Sequence, residues 1–283
     1  MVYKVIFIIF FILSNLYSIR TPVKNCKITS IFAESRYDHF HNGIDFGGGQ
    51  QNVYPVMDGE ILFYYDKSEF PFDNYSGAGN LIVLKHKNYL SYYFHLKDNS
   101  IIKDRKFVSE TNIIGITSDT GHSSGIHLHF TLERIKPKEI LNPAEILSEL
   151  IKDNQKPVIK SLFLKTGESK IKLAKKNLIK SDSEGRLILD CYDIWNYKNY
   201  KLGVYKIELY IDGKKIKEIK FDKLIFKNNE YLLNGKYRLN DLLSEDGYIL
   251  GDIKILEKET SIEIVVSDYS GNSIRSEYKI IGK

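Results

Sequence analysis

Short runs rich in β-branched, aromatic and other apolar residues recur along most of this chain, and beyond Pro157 apolar and polar residues alternate as they do in half-buried β-strands. The clearest runs predict strands over residues 59–65, 80–86, 90–95, 126–132, 187–192, 203–211 and 261–267. Asp212-Gly213 lies between two alternating runs and predicts a two-residue hairpin turn. Only residues 144–152, after Asn142-Pro143, carry the pattern of an amphipathic helix. The chain is therefore expected to be mainly β.

The N-terminus carries a continuous apolar run over residues 5–13, between Lys4 and a short polar segment. A helix of that length rises about 14 Å, which is too short for a hydrocarbon core of about 30 Å. A short apolar run in this setting is typical of a signal peptide. We expect residues 1–18 to be that peptide and the mature protein to be exported, to the periplasm or to the cell envelope and exterior, without a membrane span. A buried N-terminal element, an uncleaved anchor and lipidation at Cys26 are the alternatives.

The composition changes near the middle of the chain. Residues 28–147 are punctuated by glycine, residues 153–157 are polar and end in proline, and the rest is rich in lysine. The polar stretch has the composition of a linker. We therefore predict a first domain over residues 28–152 and a second over residues 157–283. Strands spaced about ten residues apart predict that the second domain is a β-sandwich.

Composition and charge exclude several classes of protein. The 283 residues are 43% hydrophobic and 27% charged, which excludes a disordered polyelectrolyte. The 41 basic and 36 acidic residues give a net charge of +5 that is spread along the chain, so no nucleic-acid partner is predicted. Cys26 and Cys191 are too few for a disulfide scaffold. Whether they pair with each other stays open.

Two short motifs, His41-Asn-Gly-Ile-Asp45 and His127-Leu-His129, contain three of the seven histidines. Side chains two positions apart on a strand point to the same side, so the rings of His127 and His129 are expected to face together. Both could bind a metal, or one could bind while the other handles a proton. A His, carboxylate and His set suits Zn²⁺, and three protein ligands leave one tetrahedral position for water.

The order of several segments resembles the lysostaphin-type (LytM-like) zinc metalloendopeptidases, which cut peptide bonds in peptidoglycan. The resemblance rests on residues 41–46, 53–61, 79–86, 93–96 and 114–133. It implies that His41, Asp45 and His129 bind Zn²⁺, that His127 is the general base for the attacking water, and that His95 orients or stabilises the oxyanion. All five positions are filled, which favours activity. Residues 68–75 depart from the family pattern as an insertion between two strands.

The resemblance implies an N-terminal antiparallel β-sheet metallopeptidase domain. Residues 205–213 and 267–272 loosely resemble immunoglobulin-like domains of bacteria, so the C-terminal sandwich is expected to be immunoglobulin-like. Tethering, spacing, binding of cell-wall or protein partners, and stability alone are its alternative roles.

The expected function is that of a secreted zinc metalloendopeptidase that hydrolyses amide bonds in the stem or cross-bridge peptides of bacterial peptidoglycan. Two alternatives stay open. One is a catalytically silent module that binds the cell wall or activates another hydrolase. The other is a zinc peptidase that acts on proteins rich in small residues.

Overall fold

The computed structural model describes residues 19–70, 72–74, 76–179, 184–195 and 200–282. The predicted signal peptide, residues 1–18, lies outside the described residues. Strands dominate the described part of the chain, as the alternation predicted. Among these residues, no helix has both the length and the apolar character needed to cross a bilayer.

The first half of the chain forms one curved antiparallel sheet with short additional strands. Its strands are β1 (Lys27–Ser30), β2 (Ile44–Gly47), β3 (Asn52–Val53), β4 (Gly59–Tyr65), β5 (Asn80–Lys85), β6 (Tyr89–Leu96), β7 (Phe107–Val108), β8 (Gly115–Ile116), β9 (Leu128–Arg134) and β10 (Glu139–Leu141). The sheet runs in the order β10-β9-β6-β5-β4-β7, and β2 pairs with both β1 and β9. Strand β9 therefore pairs with three strands, β2, β6 and β10.

The predicted helix over residues 144–152 is wrong in its length. Helix α1 spans only Ala144–Leu147. The backbone N–H groups of Leu150 and Ile151 both donate to the carbonyl of Leu147. The regular series of helical i to i−4 hydrogen bonds is interrupted there. Ile151 then turns into the hydrophobic core, and core packing thus ends the helix earlier than its amphipathic pattern suggested.

The second half is a sandwich of two five-stranded sheets, ordered β12-β11-β14-β20-β19 and β13-β22-β21-β15-β16. The strands of this half are β11 (Val158–Thr166), β12 (Ser169–Lys172), β13 (Lys176–Ile179), β14 (Glu184–Tyr192), β15 (Lys206–Ile211), β16 (Lys214–Lys220), β17 (Lys223–Lys227), β18 (Glu230–Leu233), β19 (Leu243–Ser244), β20 (Gly247–Lys254), β21 (Glu259–Ser267) and β22 (Ser273–Gly282), with helix α2 (Leu239–Leu242) before β19.

Alternate residues of these strands face one shared core. In β21, for example, Ile262, Ile264 and Val266 are buried while their neighbours are partly exposed. The predicted turn at Asp212-Gly213 joins β15 to β16, and both residues have positive φ, as a two-residue hairpin of this kind requires. The β-sandwich is present, and its immunoglobulin-like character stays a prediction.

The two halves are joined through a common sheet. Strand β17 pairs with β10, so that Ile140 lies opposite Leu224, and the β17–β18 hairpin thereby extends the first sheet. Trp195, from the second half, is buried in the core of the first half. The boundaries 28–152 and 157–283 remain predictions.

A buried carboxylate lies at this joint between the halves. Glu139 of β10 is 6% exposed and accepts hydrogen bonds from Arg134 of β9 at 2.7 Å and from Lys223 of β17 at 2.6 Å. Its two cationic partners are about one-third exposed, so solvent screens part of their attraction to Glu139.

We predict that Glu139→Gln lowers the free energy of unfolding by about 1–3 kcal/mol, because it leaves two cations without their shared anion. Denaturant unfolding of the full chain measures the change. The matched control is Glu149→Gln, which removes an exposed ion pair with Lys152 and should have almost no effect. Equal effects of the two substitutions would contradict a stabilising role for Glu139.

Candidate metal centre

The three predicted metal ligands meet because of strand register. Asp45 of β2 lies directly opposite His129 of β9 in the antiparallel pair. His41 precedes Asp45 by four residues and reaches the same point from the loop before β2. Two ligands are thus held by a sheet and the third by a short loop anchored to that sheet.

The donor atoms of these three side chains converge. His41 Nε2 lies 2.9 Å from His129 Nδ1 and 3.1 Å from Asp45 Oδ1, and His129 Nδ1 lies 2.9 Å from the same oxygen. Ligand atoms of a tetrahedral zinc ion lie about 3.3 Å apart, because each is about 2.0–2.1 Å from the metal. The three side chains therefore fit a zinc ion with only a small outward adjustment.

In each candidate histidine ligand, the outer ring nitrogen is the one that faces away from the other two ligands. This nitrogen donates a hydrogen bond to a fixed acceptor. His41 Nδ1 donates to the carbonyl of Ile31 at 2.7 Å. His129 Nε2 donates to Asn42 Oδ1 at 2.9 Å and lies 3.0 Å from Thr131 Oγ1. A neutral imidazole with its proton on the outer nitrogen presents a lone pair at the inner one. Metal-binding histidines commonly have this arrangement.

Charge and burial keep the ligands in the form that binds a cation. Burial raises the pKa of the Asp45 carboxyl, but the nearby His41 and His129 outweigh it and bring the pKa well below its usual range. The second oxygen, Oδ2, also accepts a hydrogen bond from Arg36 at 3.1 Å. Burial lowers the pKa of His129 to about 4. Asp45 is therefore anionic and His129 neutral at neutral pH.

His95 and His127 lie beside the three ligands with their ring centroids 4.8 Å apart. His95 Nδ1 donates to the carbonyl of Thr120, and His127 Nδ1 donates to that of Gly125, each at 2.8 Å. His127 Nε2 lies 3.7 Å from Asp45 Oδ1. Burial lowers the pKa of His95. Both rings therefore direct Nε2 to the side away from these carbonyls.

Two glycines make the His95 contact with Thr120 possible. Gly79 and Gly121 both have positive φ and lie back to back, so that a Cβ on Gly121 would come within 2.3 Å of the Gly79 nitrogen. A Cβ on Gly79 would come equally close to the carbonyl oxygen of Thr120. His95 itself has φ of 60°, an uncommon conformation for a residue with a side chain. The backbone around this ring is therefore tightly constrained.

The five predicted residues all line one open cleft of about 1090 Å³. His127 differs from the sequence expectation because it precedes β9 and pairs with Ser118 only through an isolated bridge. It still faces the same side as His129. His86 is buried and bonded to Ser91, in keeping with a structural role, and His39 is exposed beside Asp38.

Sequence reasoning missed the residues that support the ligands. Thr131 follows His129 by two positions on β9, so the period-two rule could have placed it beside that ring. Arg36 and Asn42 lie in the segment around His41, and no local pattern indicates that they contact Asp45 and His129.

Comparison with known proteins identifies the family of this region. Residues 39–143 match the model of peptidase family M23. This segment is an M23 peptidase domain. A second family model, without a descriptive name, matches residues 156–281.

Three relatives illustrate the likeness of the M23 domain. An uncharacterized metalloprotease of Buchnera aphidicola is 31% identical over 144 residues, which is 47% of this chain and 35% of that protein. The peptidoglycan DD-endopeptidase ShyA of Vibrio cholerae is 35% identical over 94 residues, or 32% of this chain and 20% of that protein. A crystal structure of a zinc-containing peptidase from Vibrio cholerae is 30% identical, covers 41% of this chain and 36% of its own, and has a TM-score of 0.34. This chain spans about a third or less of the length of the two curated relatives.

The M23 assignment and the donor set together identify a zinc site. Among the described residues, the potential ligands His41, Asp45 and His129 form a group of two imidazoles and one carboxylate, and such a set is found in catalytic zinc sites. The predicted cofactor is therefore confirmed, and the assignment of each ligand remains a prediction.

We predict that the purified protein binds one zinc ion and that His129→Ala lowers zinc affinity by at least about 100-fold, because it removes one of three ligands. Metal analysis after dialysis, followed by competition with a chromophoric chelator, measures both quantities. His39→Ala is the control, since this exposed ring bonds to Asp38 and is not one of the three candidate ligands. Equal zinc retention by the two variants would contradict the ligand assignment.

Proposed function

We propose that this protein is a zinc metalloendopeptidase that hydrolyses amide bonds in the peptide cross-links of bacterial peptidoglycan. The observation that carries the proposal is the convergence of His41 Nε2, Asp45 Oδ1 and His129 Nδ1 beside two further imidazoles in one open cleft. The M23 family and the 35% identity to a named peptidoglycan DD-endopeptidase support the substrate class.

In this proposal, His41, Asp45 and His129 hold the zinc ion. When bound, zinc polarises a carbonyl oxygen and makes a water molecule more acidic. Arg36 holds the second oxygen of Asp45, so that the first oxygen stays directed at the two imidazoles. The hydrogen bonds from His41 to Ile31 and from His129 to Asn42 keep the ligand nitrogens unprotonated.

His127 is the proposed general base. Its Nδ1–H is committed to the carbonyl of Gly125, and Nε2 is therefore the only ring nitrogen that can accept a proton from the attacking water. Once protonated at Nε2, the ring can return that proton to the leaving amine. This sequence lets one side chain act first as a base and then as an acid.

His95 has a role that depends on its protonation state. With Nδ1–H donated to Thr120, neutral His95 can accept a hydrogen bond at Nε2 and orient the attacking water. It can stabilise an oxyanion only after Nε2 has gained a proton, since only then is Nε2 a donor. The His95 and His127 rings lie close together. A proton on one ring therefore lowers the proton affinity of the other.

The shape of the cleft suits an extended peptide. It is open to solvent on one side and is lined by aromatic groups such as Phe94 and Tyr200 as well as by the polar loop 122–127. Such a mixture can bind short side chains and backbone amides of a peptide without a deep pocket. We further propose that residues 1–18 direct export, which would bring the enzyme to the cell wall.

We predict that the zinc-loaded protein, without residues 1–18, releases muropeptide monomers from cross-linked sacculi. His127→Ala should retain zinc and lose about 10²–10⁴-fold in rate, the usual contribution of a general base. Mass spectrometry of the released fragments identifies the bond that is cut. Asp104→Ala is the control, because this exposed side chain pairs with Arg105 outside the cleft, and it should cleave like the unaltered protein.

The alternatives give different results in the same assay. Cleavage of glycine-rich peptides without cleavage of sacculi would overturn the proposed substrate. Zinc binding without any turnover on either material would instead indicate a silent binding or activating module.

A further inference from the structure

A second group of potential metal ligands lies where the two halves of the chain meet. Asp153 follows α1, Asp193 follows β14 and Asp268 follows β21. One carboxylate oxygen of each lies within 4.8 Å of the others. The group shares no residue with the zinc site, and its Asp268 belongs to the segment 267–272 that stood out in the sequence.

Within the described part of the chain, two of these carboxylates have a buried oxygen without a hydrogen-bond partner. Asp193 is 1% exposed, and its Oδ1 makes no hydrogen bond. Asp153 Oδ2 is likewise buried and unbonded, although Oδ1 accepts from the backbone N–H of Gln155. Asp268 differs, because Asn272 donates to both of its oxygens. Buried polar atoms are rarely left without a partner in native proteins.

Among the residues that the structure describes, none of the three carboxylates forms an ion pair with lysine, arginine or histidine. Burial and the neighbouring acidic groups raise the pKa of Asp193 to about 7, and burial raises that of Asp153 to about 6. Three carboxylates this close are stable at neutral pH only if they share protons or bind a cation.

The available donors favour a hard cation. The group offers carboxylate oxygens as ligands, and hard divalent cations prefer oxygen ligands. Ca²⁺ takes six to eight oxygen ligands in flexible geometry, whereas Mg²⁺ demands a near-ideal octahedron and loses water reluctantly. The adjoining cavity, lined by Asp193, Asp268 and Trp195, has a volume of about 10 Å³, which admits an ion or a water molecule and no organic ligand.

We propose that Asp153, Asp193 and Asp268 bind a Ca²⁺ ion at the junction between the M23 domain and the β-sandwich. Asp153 belongs to the segment that leaves the M23 domain, while Asp193 and Asp268 directly follow strands of the two different sheets of the sandwich. The ion therefore connects three segments that are far apart in sequence. Its role is to fix the β-sandwich against the M23 domain.

Trp195 gives a direct test, because it is the only tryptophan in the chain and it lines the cavity beside Asp193 and Asp268. We expect Tb³⁺, a luminescent substitute for Ca²⁺, to emit when tryptophan is excited selectively in zinc-loaded, calcium-free protein. Ca²⁺ should suppress this emission and raise the Tm by several degrees, while Mg²⁺ should do so only at much higher concentration.

Variants locate the effect. Asp193→Asn should weaken Ca²⁺ binding by about 100-fold and abolish the rise in Tm. Without Ca²⁺ its Tm should equal or exceed that of the unaltered protein, because the substitution removes mutual repulsion. Asp246→Asn, which alters an exposed carboxylate paired with Lys170, is the matched control and should keep the full response. His129→Ala should also keep it, which separates this site from the zinc site.

Three results would overturn the proposal. They are no tryptophan-sensitised Tb³⁺ emission up to millimolar metal, no calcium-dependent rise in Tm, or an undiminished rise in Asp193→Asn. The second of these, combined with a stability that falls as pH rises from about 4 to about 7, would indicate proton sharing, since carboxylates with raised pKa stabilise the fold only while protonated.

Discussion

The metal centre depends on hydrogen bonds that point away from it. The imidazoles of His41, His95, His127 and His129 each donate the outer N–H to a fixed acceptor, which is a main-chain carbonyl for the first three. These bonds decide which nitrogen carries the proton and leave a lone pair at the inner nitrogen. If the acceptors moved, the rings could rotate or change tautomer, and neither metal binding nor proton transfer at the cleft would follow.

The fold was predictable where short β-rich runs are bounded by turn residues, and less so where contacts are distant. Strand β4 spans the same residues as its prediction, and β21 differs only at its start. Strand β2 is buried on both faces and has only four residues, so period-two reasoning could not detect it. The five candidate site residues were named from motif order, and the structure brings them into one cleft. Arg36 and Thr120 were not predictable, because their contacts with Asp45 and His95 depend on how loops fold back.

The junction between the halves was the part least visible in the sequence. The stretch at residues 153–157 has the composition of a linker, yet Asp153 is held by Ser270 and joins a buried acidic cluster. The pairing of β10 with β17 joins residues about 80 positions apart, and Trp195 reaches the opposite core. Such contacts follow from the register of edge strands, which no local pattern specifies. The two halves are therefore more closely connected than a linker between separate domains would allow.

X-ray absorption at the zinc edge of the purified protein tests the central claim most directly, because it reports the atoms bound to the ion. The account predicts a four-coordinate zinc with two imidazole nitrogens at about 2.0–2.1 Å, lighter oxygen neighbours and no sulfur. A zinc–sulfur distance near 2.3 Å, which would require Cys26 or Cys191, or a spectrum without imidazole scattering, would contradict it.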